Sequence, residues 1–447
     1  MYWGIIEPSY TEWIFSVHRA AAFLLIGLLL GLCDRAQAQS LTDEIRILID
    51  SNPRIAAAQR NANAARDGER KAWGAFLPTL TVEADSGPDR IDSPSRRSQG
   101  NDASRYRKDG VSVSVVQNVF DGYRRPEQYN SARTQASIQD STLEATRQTV
   151  LFEAVAAYLD VLRTSQLLDM SRRNEQTIQR QLNLESERVQ RGGGMAVDAL
   201  FARSRLQLGK ERRVAFEGQH NDAMSRYVQL YGKPASPSTM ADPLAPAAAL
   251  PSTLEEAIRI AESGNPNRVA SSMQVDLADR RRSIAAADYY PRVDLVARNT
   301  VERNVDGIEG MRREFAAFVK VSWELFSGFQ TRSAVAEAAQ LHGAAQSNHG
   351  QTTRKVVEET RLAWNELAIA RERVQLLENA VNIASEVFDA RERLRRAGRE
   401  TAINVLDAEN EVYNARINYI QAAYDGRRAI YRLLQAMGQL TPGVLGL

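Results

Sequence analysis

The chain is written twice, and this repetition constrains its architecture more than composition can. Leu41, Ile45, Asn52-Pro53 and Leu77-Pro78 return as Leu254, Ile258, Asn265-Pro266 and Tyr290-Pro291, each 213 positions later. Further along the spacing is 206. Val119-Phe120-Asp121-Gly122 returns as Leu325-Phe326-Ser327-Gly328, Tyr158 as Trp364, Gly192 as Gly398, Ala202 as Ala408, and residues 226–232 as 432–438. One loop seven residues shorter in the second copy accounts for the change. Between the copies, residues 233–251 hold five prolines, a composition that predicts an extended surface linker.

Both copies read in the same order. A helix (about 54–75, and 267–288) is stopped by Pro78 or Pro291, because proline cannot continue a helix interior. Two strand-like segments follow. Phe315, Ala317, Val319, Val321, Trp323 and Leu325 alternate with Lys320, Ser322 and Glu324, and Val111, Val113 and Val115 alternate with Ser112 and Ser114. Such alternation fits a membrane-barrel strand, and it also fits a strand half-buried in a soluble sheet. Phe76, Phe120, Tyr123, Tyr289, Tyr290, Phe326 and Phe329 all fall at helix–strand junctions, where an interfacial aromatic belt would put them.

The stretches from about 126 to 191 and from 332 to 397 have no internal proline and little glycine. At ~1.5 Å per residue each predicts a helix of roughly 100 Å, which must pack along partners as coiled-coil strands do. Val150, Val155, Tyr158, Leu159, Leu162 and Leu167 give one apolar stripe, and Val374, Leu377, Val381, Ala384 and Val387 another. Gly192-Gly193-Gly194 and Gly398 reverse each rod into a second helix.

At the N-terminus an apolar run over residues 20–32 follows Arg19 and precedes Ala36-Gln37-Ala38. That is the pattern of a signal peptide over 1–38, and the run is too short to span a bilayer at about 20 residues. Leu32 before Cys33 is too large for a lipidation site, and Cys33 is the only cysteine, so the mature chain is expected to lack disulfides. With 57 basic and 55 acidic residues, nothing points to nucleic acid. The four histidines show no metal-ligand spacing, and no nucleophile elbow, P-loop or dinucleotide fingerprint appears. The expectation is a non-enzyme without cofactors.

Four strands cannot close a membrane barrel, for which eight is the smallest common number, and open edges do not survive in lipid. If the strands span a membrane, copies must share one wall. Two would give a filled interior, whereas three or four would leave a lumen.

The doubled order of helix, proline, hairpin, Phe-x-Gly, long helix, glycine turn and helix resembles the TolC family of outer-membrane factors. The matching motifs are Leu77-Pro78 with 119–123, Tyr290-Pro291 with 325–329, and Ala397-Gly398-Arg399 leading into 404–408. The resemblance implies a mainly α fold with a small membrane β part. It divides the chain into a leader (1–38), a first repeat (39–232; hairpin about 77–120, long helices about 123–232), the proline-rich linker (233–253) and a second repeat (254–447; hairpin about 290–326, long helices about 329–438). It also implies a homotrimer with a 12-strand β-barrel and a 12-helix α-barrel in the outer membrane. Such a trimer would be a passive export duct docking with a periplasmic adaptor and an inner-membrane ABC or RND-type transporter. Type I protein secretion is the expected role and drug efflux the alternative. A periplasmic coiled-coil scaffold or adaptor is the reading from another class.

Carried across from the family, the periplasmic gate falls on Asp407, Asn404 and Asp198, and the adaptor-docking tips on Gly192, Gly193, Gly398 and Arg399. Asn404 stands where the family has a carboxylate, and Arg395 near where TolC has its tethering tyrosine. Arg391, Arg393, Arg395 and Arg396 read as a solvated helix face. The loop around 88–110, with Arg96, Arg97, Arg105, Arg107 and Lys108, is expected outside the cell, as an uncommitted polar loop or a meeting point with outer-membrane lipid.

Overall fold

The computed structural model describes residues 40–446 apart from Asn101 and Gly194; the expected leader and Cys33 lie outside the described residues. Each repeat opens with two short helices capped alike. In the first, Ser40 Oγ accepts from the Asp43 amide to start α1 (Leu41–Ser51). Asn52 Oδ1 accepts from the Arg54 amide at 2.9 Å, and Pro53 begins α2 (Pro53–Gly74). After the strands β1 (Thr79–Ile91) and β2 (Ser104–Phe120), joined through the short α3 (Pro94–Ser98), come α4 (Arg124–Gln190) and α5 (Ala196–Tyr231). The second repeat supplies α6 (Leu254–Gly264), α7 (Pro266–Ala286), β3 (Arg292–Arg303), β4 (Met311–Ser322), α8 (Gln330–Arg396) and α9 (Ala402–Ala436). Thr253 caps α6, and Asn265 with Pro266 starts α7. Side-chain capping of otherwise orphaned amides explains why both helix pairs break at Asn-Pro.

Each of α4 and α8 runs for 67 residues. Two shorter helices divide the length of α4 between them. Arg66–Asp140 (2.7 Å) and Arg54–Glu153 (2.5 Å) seat α2 on its first part, and Arg213–Glu175 (2.7 Å) seats α5 on its second. In the second repeat, α7 and α9 share α8 in the same way, through Ser271–His349 (2.8 Å) and Arg432–Glu366 (3.3 Å).

The strands form one antiparallel sheet ordered β1-β2-β3-β4. Val82, Val113 and Asn299 share a face with Phe315, and Glu83, Ser112 and Thr300 share the other with Glu314. The register holds across all four strands above a shift at Asn118, although Val296 and Phe318 put apolar groups on the second face as well. The β4 reading ran too far: Trp323 and Leu325 lie beyond the strand end at Ser322, and the Trp323 indole instead donates to the Tyr289 carbonyl at 3.1 Å. The junction aromatics do cluster, with Phe120 edge-on to Tyr123 and Tyr290, and Phe326 edge-on to Phe329.

The core lies where α1, α4, α5 and α9 converge at mid-length. Ile45, Leu48, Tyr158, Tyr227, Tyr431 and Leu434 are fully buried there. The linker corrects expectation, because Ala235 and Met240 are buried in this core. Its anchor is polar: Tyr158 Oη donates to the Ala241 carbonyl at 2.7 Å, and Lys233 pairs with the buried Glu44 at 2.9 Å. Gly438 closes the same region at φ +74°, with the Gln148 amide donating to its carbonyl. A Cβ there would lie 2.7 Å from the Gly264 carbonyl oxygen and 2.8 Å from Asn265 Cα. Gly438→Ala is therefore expected to cost at least ~1–3 kcal/mol from backbone conformation alone, read as a lowered unfolding temperature. Gly328→Ala, which has the same sign of φ but open space, should cost less in the isolated chain.

Candidate functional site: the far tip of the helical hairpins

The two long helices end in the same local structure. After α4, Gly192 adopts φ +78° and the Gly193 amide reaches back to the Arg188 carbonyl at 3.0 Å. After α8, Gly398 adopts φ +73° and the Arg399 amide reaches the Leu394 carbonyl at 2.9 Å. This six-to-one bond needs a left-handed residue, which is why glycine recurs at 206 spacing. The tips are exposed.

Beyond the second turn, Thr401 Oγ1 caps α9 through the Asn404 amide. The Asn404 side chain donates to Glu400 Oε1 at 2.5 Å, and Glu400 also accepts from the Thr401 amide at 3.0 Å. These bonds, the Asn404 contact foremost, hold the Glu400 carboxyl below its ordinary range. Asn404, where the resemblance implies a carboxylate, thus has an acidic neighbour in Glu400.

Asp407 sits in the second turn of α9 and pairs with Arg205 of α5 at 2.6 Å. Asp198 occupies the first turn of α5, where the helix dipole favours an anion. Seven residues before Arg205, it lies on the same helix face. Ile178, Leu182, Ala202, Leu206 and Leu406 form a separate apolar cluster, so α9 of the second repeat is packed onto the tip of the first. The structure therefore joins Asp407 to the α5 hairpin, while Asn404 is engaged within its own turn.

The basic run is corrected at one position. Arg395 is not solvated: its side chain is 19% exposed and is paired with Glu185 of α4, itself 3% exposed. Gln181 extends the tie, donating to Glu409 Oε2 at 3.1 Å. Burial raises the Glu409 carboxyl, partly opposed by Arg180. Glu185, Gln181 and Glu409 went unnoticed because each is an unremarkable polar residue in a long helix; only the fold makes them partners of Arg395.

The opposite end carries the sheet. Among the described residues, no helix is long and apolar enough to cross a membrane, but the sheet shows Leu80, Val82, Val111, Val319 and Val321 exposed on one face. A duplicated chain of this kind, with two rod-like helical hairpins bearing a four-stranded sheet, defines the class of TolC-like outer-membrane channels. The chain belongs to the outer membrane efflux protein family, whose profile matches residues 45–233 and 257–439. This family comprises outer-membrane channels and not enzymes.

Among its relatives is the outer membrane efflux protein BepC of Brucella suis, 24% identical over 432 residues, covering 96% of this chain and 91% of the relative. Another is the alkaline protease secretion protein AprF of Pseudomonas aeruginosa, 23% identical, covering 94% and 88%. The solved outer-membrane channel OprN superposes with a TM-score of 0.78 at 19% identity, covering 89% of this chain and 90% of that one, which establishes the shared fold.

Proposed function

We propose that three copies of this chain close into one passive export duct through the outer membrane and periplasm. The supporting observation is that the second repeat contacts the first in ways the first has no partner to reciprocate. A Cβ on Gly122 would meet the Ala287 carbonyl and Tyr290 of the next repeat, whereas its repeat equivalent Gly328 faces open space. Helix α7 packs against both α4 and α8, whereas α2 packs against α4 but not comparably against α8. Leu362, Ile369, Leu376 and Ile383, spaced by seven on α8, are 55–63% exposed. A heptad stripe of that kind is a coiled-coil seam awaiting a partner. A neighbouring copy offering α2 and β1 to α8 and β4 would complete every one of these contacts.

In this reading the tips around Gly192, Gly193, Gly398 and Arg399 dock a periplasmic adaptor, which couples the duct to an inner-membrane transporter. Asp407, Asn404 and Asp198, together with Glu400, ring the tip near the axis. We assign the duct to type I protein secretion, in keeping with the resemblance to AprF. The resemblance to BepC, an efflux protein by name, favours small-molecule efflux as the second reading.

Planar-bilayer recording tests the duct. Purified mature protein is expected to form discrete channels, and a water-soluble monomer that never enters bilayers would refute the proposal. In the same assay Asp407→Ala is expected to raise single-channel conductance, since it removes a carboxylate and frees Arg205. Unchanged conductance would remove Asp407 from the gate.

A further inference from the structure

The sheet gathers nearly all its carboxylates on one face, while basic residues stand on both. Registers between the four strands run without interruption above Asn118, so alternation can be followed to the strand ends. On the face of Val82, Val111, Val113 and Phe315, the residues beyond the apolar rows are Arg90, Arg105, Arg107, Arg303 and Arg313, all exposed. The carboxylates of the same strands (Glu83, Asp85, Asp89, Glu302 and Glu314) stand on the opposite face, where Lys108 lies 3.7 Å from both Asp85 and Glu302. Asp109 is the one carboxylate among the arginines; Arg107 engages it at 3.2 Å, and Arg303 stands opposite it on β3. Among the described residues no carboxylate lies within 4 Å of Arg90, Arg105, Arg303 or Arg313.

Arg90 and Arg105 are direct cross-strand partners, an arrangement that is unfavourable for like charges unless an anion lies between them. The level of these residues is informative. From Val293 to Val301 the apolar face runs roughly 27 Å along the strand at ~3.4 Å per residue. At a tilt near 45° this is roughly 20 Å of height, close to the apolar band of about 25 Å that barrels present to lipid. The aromatic junctions bound this band at the helical end, and the arginines bound it at the other.

We propose that this arginine collar binds the phosphate groups of a bis-phosphorylated glycolipid of the lipid A type in the outer leaflet. Guanidinium groups pair with phosphate in bidentate fashion, and five exposed arginines sharing one carboxylate, level with a headgroup layer, are chemically complementary to it. The inference rests on the membrane-seated reading above, which orients the hairpin ends outward.

The test titrates detergent-solubilised protein with bis-phosphoryl lipid A and with the same lipid stripped of its phosphates, counting bound lipid by native mass spectrometry. The wild-type protein is expected to prefer the phosphorylated lipid at least tenfold. The variant Arg90→Gln/Arg105→Gln/Arg303→Gln/Arg313→Gln should bring the preference to within twofold. Equal binding of both lipids by wild type, or an undiminished preference in the variant, overturns the proposal. So does displacement of the lipid by inorganic phosphate at matched concentration, which would assign the collar to a free anion. Should the variant fail to fold, the two-lipid comparison on wild type decides alone. Channels that conduct normally without lipid preference sink the collar and leave the duct standing; wild-type protein that neither oligomerises nor conducts sinks the duct itself.

Discussion

A chain carrying Ala84→Cys and Val321→Cys should run as a covalent trimer under oxidising conditions and return to monomer on reduction. The expectation comes from the duplication itself. Within one chain, Val115 faces Ala297 where the first repeat's β2 meets the second repeat's β3. Moving each residue to its repeat equivalent, 206 forward for β2 and 213 back for β3, turns that pair into Val321 and Ala84, on the two free edges. The neighbouring pair, Ser114 with Arg298, becomes Lys320 with Asp85, placing opposite charges across the junction. Facing residues of antiparallel strands have Cα atoms about 4.5–5.5 Å apart, within disulfide range. The chain's only cysteine is Cys33, in the expected leader, so the background is clean.

The contrast is near all-or-none, because a one-residue slip turns each side chain to the other face. Val321→Cys with Asp85→Cys is therefore expected to stay monomeric. Equal crosslinking by both pairs would show the register to be wrong, and no crosslinking by either would remove the shared barrel wall. Each subunit carries both cysteines and meets two neighbours, so a closed ring yields trimer as the end product with dimer as its precursor.

What could be read from the sequence was what leaves a periodic or positional trace. Proline stops, glycine turns, the 206 and 213 spacings and the strand alternation all follow from local backbone chemistry. They placed the long helices within about two residues of their observed bounds, 124–190 and 330–396. The apolar stripe from Val374 to Ala384 was found, yet those residues are only half-buried on α8, and Val387 is exposed. The second stripe, Leu362 to Ile383, has an equally clear seven-residue period and is legible in the sequence, since a rod between two neighbours needs two seams. The linker's burial was illegible because it depends on Tyr158 finding a carbonyl 83 residues away. At the tip, the glycines announced themselves through backbone need. The Glu185–Arg395 pair joins residues 210 apart on two polar helix surfaces, with no local signal.

That pair carries the second large expectation: Arg395→Ala should raise single-channel conductance several-fold. Glu185 is almost wholly buried, and its other cation, Arg188, stands at 3.5 Å with a largely exposed side chain. Removing one partner of a buried ion pair costs about 3–5 kcal/mol, because the remaining charge is left without compensation. A tip can escape that cost by letting α8 and α9 swing away from α4 so that water reaches the carboxylate, a movement that would widen the bore of the proposed duct. The apolar double variant Glu185→Leu/Arg395→Met separates this mechanism from simple loss of packing. It removes both charges at similar volume, a change that is often neutral or stabilising, so conductance should fall back toward wild type. If Arg395→Ala conducts like wild type, the tie does not hold the tip. If the double variant stays as open as the single one, it is the ionic bond, and not the penalty of a stranded carboxylate, that keeps the hairpins together.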